Sequence, residues 1–178
     1  FLHMEIYNVF HHSKMFLYPN QYVNFSPDSE ASKLALSMVS EDTTDVDALK
    51  QIYNYVVNNL SYDYDKAETV ETGYLPDVDE TLSTKTGICF DYAALTTAML
   101  RSCDIPCKLQ IGYTGDIKHA WIDVYIRSKG WVTGAVSFNG DSWSLMDPTF
   151  DSSADSDDTE AIQDYIGNAD NYTVQFTR

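Results

Sequence analysis

Positive charge is scarce in this chain: 11 lysines and arginines stand against 27 aspartates and glutamates, for a formal net charge of -16. Such a surface repels a phosphate backbone, so nucleic-acid binding is not expected. Long apolar runs are missing as well. No stretch approaches the roughly 18 residues that would carry a helix across a bilayer, and the opening FLHMEIYNVF has neither the basic start nor the long apolar core of a secretory signal. A soluble piece without a membrane span is expected. It starts at Phe1 and not at a methionine, so it is expected to be part of a longer protein whose leader or anchor lies outside it. Cysteines number three, an odd count that cannot complete a disulfide framework, and no Cys-x-x-Cys pair suggests a zinc site. Cys103 and Cys107 can pair, leaving Cys89 single, or all three are free thiols.

What is present fits one domain: 178 residues, 44% hydrophobic, are enough for one proper core and short for two. Residues 1–25 are aromatic-rich and aperiodic, an N-terminal arm in which Met4 to Phe10 can be a strand. Ser26-Pro27-Asp28 has the composition of a helix start, and Ala31, Leu34, Ala35 and Met38 follow at helical spacing. Thr44 is placed to cap a second helix with a wide apolar face from Val46 to Leu60. Between Ser61 and Asp79 the pattern dissolves into a polar loop of tyrosines and acids. The stretch KTGICFDYAALTTAML predicts a helix that opens near Cys89 and ends near Arg101 to Cys103. From Lys108 the period changes to alternation, with strands expected over Lys108 to Tyr113, His119 to Ile126, Gly130 to Phe138 and Ser142 to Met146. Asn139-Gly140 reads as a hairpin turn. The acidic run Asp151 to Glu160 reads as a solvated loop, since it lacks the turn glycine and closing glutamate of a calcium loop. Tyr172 to Phe176 can close the sheet as an edge strand. Helices first and strands afterwards make an α+β fold.

Three residues stand where chemistry could use them. Cys89 opens an otherwise apolar helix just behind Gly87, where unsatisfied N–H groups and the helix dipole favour a thiolate and lower the thiol pKa. On the helix alone, a buried structural cysteine is the preferred reading. Of the four histidines, His3, His11 and His12 fall in the N-terminal arm. His119 opens the strand HAWIDVYI, where an imidazole can face the helix end and take the thiol proton, or simply be a satisfied strand-start histidine. Asp147 ends the strand WSLM before Pro148, where it can accept the second imidazole N–H or serve as a turn residue. Asp123 is a rival orienter, but at strand rise it lies about 13 Å along the strand from His119.

These stretches together resemble a known family. GICFDYAALTTAMLRSCDIPCKLQIGY, then HAWIDVYI, then WSLMDPTF look like the core motifs of the transglutaminase-like superfamily, in the same order, with IYNYVVNNLSYDYD resembling the stretch that leads into the cysteine motif. The likeness runs from about Leu49 to Phe150. It implies a papain/transglutaminase-like α+β fold with a Cys-His-Asp triad: Cys89 as nucleophile, His119 as general base and then acid, and Asp147 as its orienter. It implies an oxyanion donor upstream, for which Tyr62 is the candidate and Tyr64 an alternative, and it places Tyr92 and Trp121 as packing or cleft wall. No metal or cofactor is implied.

Two departures bear on function. Arg127 to Asp141 inserts an extra strand where the family has a short hairpin, and the calcium-site pattern of the large animal enzymes is missing, which argues against protein crosslinking. The expectation is a catalytic domain over 26–178 that cleaves an amide or peptide bond through a thioester. Transamidation to an amine, or a binding module that keeps the fold without turnover, are the alternatives. A peptide or protein substrate is expected, a cell-wall peptide among the options, and the acidic surface suggests a neutral or cationic one. An extracellular or cell-surface location is expected, with a cytoplasmic one as the alternative.

Overall fold

Polar caps and apolar stripes decide where the helices start and which way they face. The computed structural model describes residues 13–114, 116–138, 143–145 and 172–178. The expected strand at Met4 to Phe10, three of the histidines, the Asn139-Gly140 turn, Asp147 and the acidic 151–160 run lie outside the described residues. Helix α1 spans Glu30–Met38 and helix α2 spans Asp45–Asn59. Thr44 caps α2 as expected, accepting the Asp47 N–H at 3.1 Å. The start of α1 is corrected by three residues, from a cap at Ser26 to one at Ser29. Ser26 closes a turn through its carbonyl, which accepts the Ser29 N–H at 3.1 Å, so the helix begins only after Ser29.

The stretch from Ser61 to Asp79 is more ordered than its composition suggests. A two-residue strand β1, Ser61–Tyr62, pairs in parallel with β2, Thr86–Gly87. Helix α3 spans Tyr64–Thr69 and helix α4 spans Val78–Thr84. Each is started by an aspartate: Asp63 accepts from the Lys66 N–H at 2.9 Å, and Asp77 accepts from Asp79 and Glu80 at 3.0 and 2.9 Å. Acids that read as loop composition are here N-caps, which satisfy the first free N–H groups of each helix.

Helix α5, Cys89–Ser102, is the axis of the molecule. Every residue from Asp91 to Arg101 is buried, and Leu95, Met99 and Leu100 have no exposed surface. It contacts α1, α2 and α4, together with two strands of the sheet, β3 (Cys107–Thr114) and β4 (Ile117–Ile126). The remaining strands are β5 (Gly130–Phe138), β6 (Trp143–Leu145) and β7 (Tyr172–Thr177), and the antiparallel order is β6-β5-β4-β3-β7. The expected edge strand is thus present as β7, and the extra strand lies between the His119 strand and the Trp143 strand. Side chains alternate across a strand. On β4, Ala120, Ile122, Val124 and Ile126 enter the core cluster, while His119, Trp121, Asp123 and Tyr125 lie on the other face.

Distant segments are tied by charged side chains. The Arg101 guanidinium, 4% exposed, donates to the carbonyls of Tyr18, Cys107 and Arg178 at 2.7–3.0 Å. Asp45, at the start of α2, accepts from the Arg127 backbone and guanidinium at 2.8 and 2.9 Å, and so anchors the β4–β5 turn. All three cysteines are free thiols. The Cys107 sulfur lies 3.5 Å from the Thr97 hydroxyl, inside the core, while Cys103 is half-buried at the helix end. Among the described residues, no helix is long and apolar enough to cross a membrane.

Candidate active site

Cys89 is the first residue of α5, and Ile88 ahead of it has extended backbone geometry. Two features force the chain to turn here. Gly87 packs so closely on the helix that an added Cβ would meet the Asp91 Cβ at 2.7 Å. Asp91 then reaches back and accepts the Ile88 N–H at 2.8 Å, one half of a capping box. The thiol is therefore presented at the end of a helix that is fixed by burial on all other sides.

Asp91 does more than cap. Its carboxylate is wholly buried and accepts from the Lys66 ammonium at 2.7 Å and from the Tyr74 hydroxyl at 2.5 Å. Lys66 also donates to the Tyr74 hydroxyl at 2.7 Å and lies 4.4 Å from the centre of its ring. Burial, then the bond to Asp91, pushes the Tyr74 phenol up to about 12, so it remains a donor. This network joins α3 and the 70–75 segment to the first turn of α5. Neither Asp91 nor its partners were anticipated from sequence. The available signal was one acid, three residues into an otherwise apolar helix, at capping-box distance from its start.

A cleft of about 660 Å³ opens in front of the helix end. Its floor includes Ile88, Cys89 and Phe90, one bank is the 70–75 segment, and the other bank carries Ile111, His119 and Phe176. Tyr62 lines it too, whereas Tyr64 is 58% exposed and packs edge-on against the Tyr62 ring at 4.9 Å. Tyr62 is therefore the one of the two that faces Cys89. Burial is the main cause pushing its phenol up to about 12, with the Cys89 side chain adding to that and a hydrogen bond from the Cys89 backbone N–H opposing it. Tyr62 thus stays protonated beside the nucleophile's own N–H. Tyr92 is buried behind it, ring centres 6.4 Å apart, as packing rather than cleft surface.

His119 is 8% exposed, and the Trp121 ring stacks near it at 6.3 Å and 18°. In the β3–β4 register it sits opposite Gly112. A side chain at Gly112 would come within 2.0 Å of the Thr173 carbonyl and 3.0 Å of the Trp121 ring, so a glycine is what lets β7 and the Trp121 ring approach β3 at this position. Asp123 lies two positions beyond Trp121 on the same face and accepts from Gln110 at 2.6 Å, which in turn accepts from Thr177. Trp121 stands between it and His119. The strand that leads to Asp147, β6, is separated from β4 by β5.

The electrostatics correct one expectation. Burial pushes the Cys89 thiol up, and the N–H groups of Ala120, Phe90 and Cys89 itself pull it back only in part. The helix end does act in the anticipated direction, but desolvation of the thiolate outweighs it. Burial lowers the His119 imidazole to about 4. Both groups therefore rest neutral near pH 7, a thiol and an imidazole in one cleft, with the Ala120 N–H of the histidine strand aimed at the sulfur. Among the described residues, no cluster of three or more His, Cys, Asp or Glu side chains could hold a metal ion.

The described residues thus place a thiol on a buried helix end and a histidine on the adjoining sheet in one cleft, while Asp147 of the third sequence motif lies outside them. The model of the Transglutaminase-like superfamily matches residues 32–148, well over half of the chain. The chain belongs to this superfamily. UPF0252 protein MJ1282 of Methanocaldococcus jannaschii is 40% identical over 62 residues, which are 32% of this chain and 18% of that protein. YebA of Bacillus subtilis is 26% identical over 144 residues, 68% of this chain and 19% of that protein. The chain thus spans under a fifth of either curated relative. Among solved structures, a protein of Cytophaga hutchinsonii provisionally named a cysteine protease superposes with a TM-score of 0.55 at 23% identity, over 68% of this chain and 40% of that one. That likeness is one of fold: mixed helices and an antiparallel sheet arranged as in papain and the transglutaminases.

Proposed function

We propose that this domain is a cysteine-dependent acyl-transfer enzyme that hydrolyses an amide or peptide bond through a thioester. The observation that carries the reading is the convergence of Cys89, His119 and Tyr62 on one cleft at the end of a rigid helix. His119 takes the thiol proton as the sulfur attacks the carbonyl carbon, and the π electrons move onto oxygen. Tyr62 and the Cys89 N–H donate to that oxyanion, in a site where donors are worth more than in water. As the tetrahedral species collapses the C–N bond breaks, and the imidazolium gives its proton to the departing amine. Water, deprotonated by His119, then attacks the thioester, the C–S bond breaks, and the acid leaves with the thiol restored. Asp147, in this reading, holds the imidazole tautomer and steadies the cation.

Incubation with activated ester or peptide anilide substrates tests this reaction directly. Intact-mass measurement should find an acyl adduct on wild type that is missing from Cys89→Ala and that decays in water. Partition of the adduct to added amine over water would favour transamidation. Absence of any adduct, together with iodoacetamide labelling of Cys89 unchanged by His119→Ala, would sink the enzyme reading.

A further inference from the structure

The cleft floor next to the nucleophile is aromatic. Phe90 follows Cys89 directly, and its ring lies 6.3 Å from that of Tyr22 on one side and 6.3 Å from that of Tyr74 on the other. All three rings line the cleft. On the two banks above them, Leu75 is 45% and Phe176 50% exposed. Large apolar side chains left in water around a cleft are characteristic of a binding surface. The floor is also rigid, because the Tyr74 hydroxyl is held by the buried Asp91 and by Lys66.

Charge decides what such a floor accepts. Aromatic faces attract cations, and an acidic protein could use them to hold a basic side chain. Here those faces already have cations: the Arg178 guanidinium lies 4.9 Å from the Tyr22 ring and 5.1 Å from the Phe176 ring, and Lys66 lies on Tyr74. A second cation would be repelled by the first. A carboxylate would be drawn to Arg178 at the edge of the rings, but seated on the ring faces it would lose its hydration against their negative quadrupole. A neutral apolar group gains from burial and meets neither penalty.

We infer that the rings of Tyr22, Phe90 and Tyr74, rimmed by Leu75 and Phe176, form a subsite for a bulky apolar or aromatic side chain of the acyl donor, close to the scissile bond. The inference rests on Cys89 as the nucleophile and adds the chemistry of the substrate. It narrows the neutral-or-cationic expectation drawn from net charge to neutral and apolar.

The test uses matched chloroacetamides that carry a benzyl, methyl, carboxymethyl or aminoethyl group, with Cys89 labelling followed by intact mass and normalised to a free thiol. The benzyl reagent should label with saturation and about tenfold or more faster than the other three, the discrimination expected of an apolar pocket. Leu75→Ser with Phe176→Ser, both at exposed positions, should bring that ratio toward one, whereas Leu36→Ser, equally exposed but away from the cleft, should leave it unchanged. Equal rates for all four reagents, or a preference for the aminoethyl reagent, would overturn the subsite. Fluorogenic peptides with Phe, Ala, Asp or Lys at each position around the cleaved bond separate this inference from the reaction. Benzyl selectivity without any peptide turnover supports the subsite and counts against the hydrolase. Turnover with no side-chain preference at any position does the reverse.

Discussion

Replacing Asp91 by alanine should destabilise the domain and loosen one bank of the cleft. The carboxylate is wholly buried and receives three donors: the Ile88 N–H, the Lys66 ammonium and the Tyr74 hydroxyl. Removing it leaves the buried Ile88 N–H without that acceptor, which costs about 1–3 kcal/mol, and the charge-assisted bond from Tyr74 adds about 1.5–3 kcal/mol. Loss of one partner from a buried ion pair costs about 3–5 kcal/mol in all. Lys66 retains 31% of its side-chain exposure and can turn to water, so the lower end, about 3 kcal/mol, is expected here. For a domain of this size that corresponds to a fall in Tm of about 6–12 °C. General charge repulsion would act the other way, since the substitution removes one negative charge from a chain at -16. Urea unfolding and calorimetry of the wild type, Asp91→Ala, Lys66→Met and the double variant measure the effect and the coupling between the pair. The Cys89 alkylation pKa should also fall in Asp91→Ala, because the nearby carboxylate helps to raise it. A Tm within 2 °C of wild type, or a Lys66–Asp91 coupling of zero, would refute the account of this network.

Three further outcomes are expected. His119 has a folded-state pKa near 4 against 6.5 for the exposed group, so the unfolded chain takes up the proton first. Stability should fall as pH drops from about 6.5 through about 4, by about 3 kcal/mol from this group, and His119→Gln should flatten that part of the urea-midpoint profile. Gly112→Ala places a Cβ against the Thr173 carbonyl at 2.0 Å, so β7 must shift; a loss of about 3 kcal/mol and increased amide exchange in β7 should follow, and an unchanged Tm would contradict the packing. Leu95→Ala empties a fully buried position on α5 and should cost about 2–5 kcal/mol in urea unfolding without changing the pH at which Cys89 alkylates.

What could be foreseen depended on the range of the interaction. The helix from Cys89 and the strands after Cys107 follow from local apolar periods, and the structure has them where those periods place them. The cap at Thr44 is equally local. The start of α1 and the helices α3 and α4 were missed because serine and aspartate serve both turns and caps, and only the path of the backbone decides which. The Asp91 network was invisible for a different reason. Its donors come from 17 and 25 residues upstream, through a segment whose composition reads as solvated loop. The thiol pKa was misjudged because helix position is written in sequence and burial is not.

The place of β7 has a consequence for how the protein is made. This strand forms one edge of the sheet against β3, although some 60 residues separate them in the chain. Phe176 and Arg178, which line the cleft, arrive with it. While the ribosome is still extending the chain, β3 offers an open hydrogen-bonding edge that could recruit a neighbouring nascent chain. The cleft is completed only when the last strand docks. A cleft assembled in that order lacks part of one bank until synthesis of this segment is over.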